Sequence, residues 1–216
     1  VRRIPLLQNL NGQIYPVLSV EALRVAFGVQ SIDTRAADAS GEIAFGDARG
    51  LNLVRVGQLQ IPVTPDGQFW VHYTERVPDR MVPAWRVFDD SVAARVAERI
   101  NGHIVLIGSS AQGLQDVRST PLSPYEPGVL IHAQALEQMI LGDFLERPDL
   151  ADGGEILFIL VLGLILVWLL PRLGAIWCAV IGLVAVALAV GGSWYAFTDM
   201  HLLFDPLYPS VAVMLV

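Results

Sequence analysis

The sequence predicts an α/β domain, a mixed sheet with flanking helices, followed by α-helical transmembrane segments. Three observations carry this. Helix-like and strand-like runs alternate through the first part of the chain. Charge then stops abruptly: beyond residue 155 only Arg172, Asp199 and Asp205 are charged. The tail consists of apolar runs of membrane-spanning length. The predicted division is 1–152 for the soluble domain and 153–216 for the membrane part, with helices at about 153–171, 173–196 and 204–216.

The elements follow in order. In IYPVLSVEALRVAFG, Leu18, Ala22, Val25 and Ala26 recur at a helical period, and Gly28 stands where a C-terminal glycine belongs. Residues 29–50 are polar and weakly patterned, and read as a short strand within loops. LQIPV, the turn TPDG at 64–67 and QFWVHY read as a hairpin, with Phe69, Val71 and Tyr73 on one face. Asp66 is turn chemistry there. Ser91 is expected to open a helix carrying Val92, Val96 and Ile100, closed by Asn101-Gly102. HIVLI, residues 103–107, has the composition of a strand buried in a sheet. A last soluble helix is expected from about Ile131 to Leu141, with Gly142 past its end. The chain shows no repeat at a fixed period.

Residues 156–171 are uncharged and rich in Leu, Ile and Val. On an insertion scale these side chains contribute about −4 to −8 kcal/mol in favour of the bilayer. Pro171-Arg172-Leu173-Gly174 is expected to form a tight turn into a second charge-free run, 173–198. Arg172 can snorkel there, so it costs far less than a charge at the bilayer centre. Trp168 and Trp177 lie near this turn, and Trp194, Tyr195 and Tyr208 lie toward the other face, as interfacial belts do. Gly174 with Cys178, and Ala185 with Ala189, are candidate small-residue packing pairs. A third span begins at about Pro206. Both ends read as cuts: the chain opens on VRRIPLL and stops inside an apolar run.

Composition excludes some functions. The formal charge of −7 argues against a nucleic-acid partner, which needs a basic surface. With Cys178 the single cysteine, no disulfide framework and no cysteine-based zinc site can form within the chain. His72, His103, His132 and His201 are scattered, without HxxxH spacing.

GSSAQGLQD, residues 108–116, is the one loop with ligand-like chemistry, because Gly and Ser after a strand expose backbone N–H groups. It lacks the GK[ST] of a nucleotide-binding P-loop. Ser109, Asp116 and His132 are the residue types of a hydrolase triad, but no GxSxG elbow accompanies them, so no catalytic residue and no cofactor are expected. Two readings stay open. Either Ser109, Ser110, Gly113, Asp116, Thr120 and His132 converge on a small polar ligand, at a strand's carboxyl end and a helix start. Or the loop bonds to itself and His132 packs at a helix start.

VRRIPLL, YPVLSVEALR, IPVTPDGQFWVHY, GHIVLIGSSAQGLQDVRSTPL and PGVLIHAQALEQMILGDFLERP, in this order, resemble the CHASE sensor domain of the second type. LLFDPLYPSVAVMLV is similar to the last membrane helix of versions that feed a class III adenylate or guanylate cyclase. The resemblance implies a multi-pass protein of the bacterial inner (plasma) membrane, with a periplasmic or extracellular sensor facing an unidentified ligand. It implies the lipid bilayer as a partner, homodimerisation, and an output that is a cyclase, or less often a histidine or Ser/Thr kinase. It also implies that the family's N-terminal anchor and first α/β portion lie outside this sequence. The rival reading is a membrane-anchored enzyme.

Overall fold

A computed structural model describes residues 1–36, 50–114, 116–148 and 150–215. The chain falls into two units, one up to Phe144 and one from Leu145 onward.

The first unit is built from short antiparallel pairings and three helices. β1 (Arg3–Pro5) pairs with β7 (Gln68–Trp70). β2 (Leu7–Leu10) pairs with β3 (Gln13–Pro16) across Asn11-Gly12. Both turn residues have positive φ, 55° and 84°, as a two-residue type I′ hairpin turn requires. β4 (Ile32–Ala36), β5 (Leu51–Val56) and β6 (Leu59–Pro62) form a three-stranded meander. β8 (Val117–Arg118) pairs with β9 (Glu126–Pro127). Helices α1 (Leu18–Ala26), α2 (Ala93–Ile100) and α3 (Gly128–Leu141) complete the unit.

The α/β content matches the sequence reading, but the single mixed sheet does not appear. Every ladder described in this unit is antiparallel. HIVLI is the reason. It forms no strand and pairs with none of the described strands, and Ile107 is 93% exposed. A strand exists only through a neighbour that takes its N–H and C=O groups.

The predicted hairpin is also corrected. Its turn is present, with Gly67 N–H donating to Thr64 O (2.7 Å) and Thr64 N–H to Gln68 O (2.8 Å). The arms then part, β6 to β5 and β7 to β1. Of residues 29–50, Ile32–Ala36 are strand as expected, and 37–49 lie outside the described residues.

Helix α1 turns a different face inward than predicted. Ser19, Val20 and Leu23 are buried, whereas Leu18 and Val25 are exposed. One position is about 100° of helix, so a stripe misread by one residue points elsewhere. Helix α2 begins at Ala93, after Ser91, because Ser91 gives its N–H and hydroxyl to Asp89 Oδ1 in a turn of its own. Helix α3 ends as predicted at a left-handed Gly142 (φ 72°). It begins three residues early, at Gly128, because Pro127 (φ −57°) presets the entry. His132 therefore lies past the first turn.

The core lies between α1, α3 and the strands. Its fully buried members include Leu6, Leu23, Val54, Ile61, Phe69 and Met139. Phe69 also meets Phe144 edge to face, with ring centroids 6.1 Å apart. Burying such a side chain contributes about 1.5–3 kcal/mol, which is what holds short strands together.

In the second unit α4 (Ala151–Leu173), α5 (Ala175–Asp199) and α6 (Leu207–Leu215) pack against one another. Two of them, α4 and α5, are long and apolar enough to cross a membrane by length and composition. The expected four-residue turn is smaller: α4 runs through Pro171 and Arg172, and Gly174 alone, at φ 80°, reverses the chain. Arg172 lies over the Trp168 ring, 3.7 Å from its centroid. A Cβ on Gly182 would come within 3.3 Å of Val213 on α6, so Gly182 is a close-packing position among the described residues.

Candidate functional site

The site begins with how α3 holds the extended segment after β7. Gln138 and Gln134, one helical turn apart, donate to His72 O (3.0 Å) and Thr74 O (2.8 Å). Four helical residues rise about 6 Å and two extended residues about 6.7 Å, so the two periods fall into step. Further along, Arg76 grips Glu126 with Nε (2.9 Å) and Nη2 (2.7 Å), and Arg80 Nη1 meets both oxygens of Glu137 at 2.7 Å.

Glu126 reaches its place through β9, whose entry is set by the turn Thr120-Pro121-Leu122-Ser123. Thr120 N–H donates to Ser123 O (2.8 Å), and Ser123 N–H to Thr120 Oγ1 (3.1 Å). Between this turn, the 73–76 segment and α3 lies a solvent-facing cleft of about 490 Å³. Its polar lining comes from the 73–76 segment, Glu75 and Arg76 included, with Thr120, Ser123, Glu126 and Gln134.

Of its two carboxylates, Glu126 is compensated by Arg76, and Glu75 adds a second negative charge to the lining. Glu126 is 6% exposed, and a carboxylate so placed needs a partner, which Arg76 supplies. The hydrogen bonds that Arg76 donates to Glu126 raise the Arg76 pKa above the ordinary arginine value. Burial, with the Glu126 charge added, pushes the Tyr73 phenol up to about 12, so it stays a neutral donor. Its oxygen has no hydrogen-bond partner among the described residues. The cleft thus offers hydroxyls and a fixed amide beside the Arg76–Glu126 ion pair and the Glu75 carboxylate, while the Tyr73 hydroxyl is buried behind them.

Of the residues singled out by sequence, Thr120 lines this cleft, while Ser109, Ser110, Gly113, Asp116 and His132 are outside its lining. The loop 108–116 does meet the start of α3. Asp116 O accepts Gly128 N–H at 2.8 Å, and a Cβ on Gly108 would fall 2.4 Å from Val129 Cβ. The Asp116 carboxylate lies against Gly128 itself. Among the described residues no side chain caps this helix end: the bond to Gly128 N–H comes from the Asp116 backbone carbonyl, not its carboxylate. His132 is partly buried with Nδ1 unpartnered among the described residues. Desolvation lowers its pKa, against the opposing pull of Asp116. Ser109 is partly buried, Ser110 is exposed, and Gly113 faces open space. With HIVLI not a strand, these three do not stand at a sheet's carboxyl edge.

Sequence reasoning passed over Arg76, Glu126 and Gln134. No local signal marks them, because the partners are about fifty to sixty residues apart in the chain.

What these features define is an α/β domain with a polar cleft, continued by apolar helices. A model of the CHASE2 domain matches residues 1–170, and the chain belongs to that family of extracellular sensor domains. No curated protein and no solved structure matches it.

Proposed function

We propose that this chain is the sensing and membrane-crossing region of a multi-pass receptor of the plasma (inner) membrane. Residues 1–152 lie outside and take a small polar ligand in the cleft between Tyr73, Arg76, Thr120 and Gln134. Residues 153–216 carry the signal through the bilayer to a nucleotide cyclase beyond Val216, working as a homodimer. The observation that most supports this is that the CHASE2 match continues out of the α/β unit into α4. The outward-facing apolar side chains of α4 and α5 support the spans, Leu164 and Leu188 each being 70% exposed. A helix buried in a soluble core would hide such residues.

The test uses the whole gene product in lipid nanodiscs. A panel of amino acids, organic acids and sugars at about 1 mM is screened by thermal shift, with cyclic AMP and cyclic GMP formation measured in parallel. A ligand that raises the melting temperature, and raises it less in Gln134→Leu, supports the cleft. No shift from any class, or an equal shift in the variant, removes it. Production of neither nucleotide removes the cyclase, leaving a kinase output or a membrane-anchored enzyme.

A further inference from the structure

The segment between α3 and α4 reads as a short linker in sequence, but its second half is bound into the helical unit. Glu146 forms a parallel bridge with Leu202 in the α5–α6 loop. Its N–H donates to His201 O (3.0 Å), and its carbonyl accepts Leu203 N–H (2.8 Å). The loop is shaped for this. His201 takes a left-handed φ of 56°, and Leu202 N–H turns back to Ala196 O (2.9 Å), closing the end of α5. Beside the bridge, Arg147 spreads its guanidinium over three acceptors. Nη1 donates to Leu203 O (3.4 Å), and Nη2 to Asp152 Oδ1 (2.5 Å) and Glu155 Oε2 (3.0 Å). Glu155, whose side chain is only 14% exposed, also accepts Asp205 N–H (2.8 Å). Asp205 Oδ1 in turn accepts Leu207 N–H at the start of α6 (2.8 Å).

These bonds form one chain from the connector to two helices. Asp152 and Glu155 belong to the first turns of α4, and Asp205 caps α6. We infer that Glu146 and Arg147 are a clamp that makes the connector, the start of α4 and the α5–α6 loop a single moving part, so that displacement of the connector reaches α4 and α6 together. Arginine suits this role. Its planar fork can hold two carboxylates and a carbonyl in fixed directions, and the hydrogen bonds and charge of Asp152 and Glu155 raise its pKa above the ordinary arginine value. A lysine has three donors too, but they radiate from one atom and lack the spread with which Nη1 and Nη2 reach separate acceptors. The clamp's bonds stand apart from the membrane reading, but its use in signalling rests on that reading.

Hydrogen–deuterium exchange on the full chain in nanodiscs tests the inference. In Arg147→Met, exchange at the amides of Glu146, Leu203 and Asp205 should rise at least about tenfold, the factor that 1.4 kcal/mol of local stability represents. The amides of β5 should not change. Arg147→Lys should fall between. Glu146→Pro removes the N–H that meets His201, and should quicken exchange not only at Leu203 but also at Asp205 and Leu207. Unchanged protection in Arg147→Met overturns the clamp, as does a rise confined to Leu203 in Glu146→Pro. A rise everywhere, β5 included, overturns it too, because Arg147 would then serve global stability. Fast exchange along the middle of α4 in the unmutated chain would instead remove the membrane reading and leave the clamp standing.

Discussion

Arg76 and Glu126 show how a single pair can organise a surface that no motif announces. The guanidinium is about half exposed while the carboxylate is buried, so the pair is asymmetric. Losing the exposed partner strands the buried one. Arg76→Ala should therefore destabilise the domain by about 1–3 kcal/mol, below the range for a fully buried pair because water still reaches the guanidinium. Adding Glu126→Gln should recover part of the loss, and thermal melts of the single and double variants check this. If the two losses simply add, the pair is not coupled. His132 gives a pH dependence of definite sign. Burial lowers its pKa in the folded state, so the unfolded chain binds the proton more readily between the folded value and the ordinary one of about 6.5. Stability then rises with pH through that window. The contribution is complete above about 6.5 and is lost as pH falls toward the folded value. Asp116, the opposing charge facing it, reduces the effect without reversing it. The melting temperature should fall more steeply from about pH 7.5 to about pH 5 in the unmutated chain than in His132→Gln. Parallel slopes would contradict the assignment.

Among the elements, those marked by their own residues were readable and those made by distant partners were not. Gly142 ends α3 where a glycine C-cap was expected, and TPDG turns as its residues require. Asn11-Gly12 is a strong hairpin signal that the sequence reading passed over, and it builds β2–β3. By contrast, HIVLI has the composition of a buried strand, and composition says nothing about whether a neighbour is there. The parting of β6 and β7 is equally invisible locally, since both arms carry ordinary strand patterning and their partners lie elsewhere in the chain. The loop after HIVLI yields a comparison between its own glycines. Gly108 lies so close to Val129 that an added Cβ would meet Val129 Cβ at 2.4 Å, whereas Gly113 faces open space. Val129 Cβ is rigidly attached to α3 and cannot swing aside. Gly108→Ala should therefore cost about 1–3 kcal/mol, and Gly113→Ala should stay within about 0.5 kcal/mol. Denaturant unfolding of both variants decides. Equal effects would mean that Gly108 is not held for packing against Val129.

At the scale of the whole chain, the legible feature was the change of composition. The loss of charge after residue 155 is a statement about hydration and needs no knowledge of distant contacts, so the helical part could be read from composition. The helices α4 and α5 have 23 and 25 residues, and at 1.5 Å per residue they measure about 35 and 38 Å. Against a hydrocarbon core of about 30 Å, α4 would have somewhat less than a turn to spare and α5 more than a turn, an excess that tilt or ends reaching the headgroups would take up. The join between them is the position that reports orientation. Arg172 is the one arginine or lysine in the helical stretch 151–215, and it stacks on Trp168, a residue type favoured at membrane interfaces. Positive residues favour the cytoplasmic side, and the α/β unit, with the other arginines of the chain except Arg147, precedes the helices and can be exported whole regardless of them. The hairpin should therefore present Arg172 to the cytoplasm. With Cys178→Ser as background, Arg172→Cys should react with a membrane-impermeant maleimide only after the cells are permeabilised, while Ser110→Cys, exposed on the α/β unit, should react from outside. Labelling of position 172 in intact cells would invert the topology. The α/β unit would then lie in the cytoplasm, and the cleft beside Arg76 would face intracellular solutes.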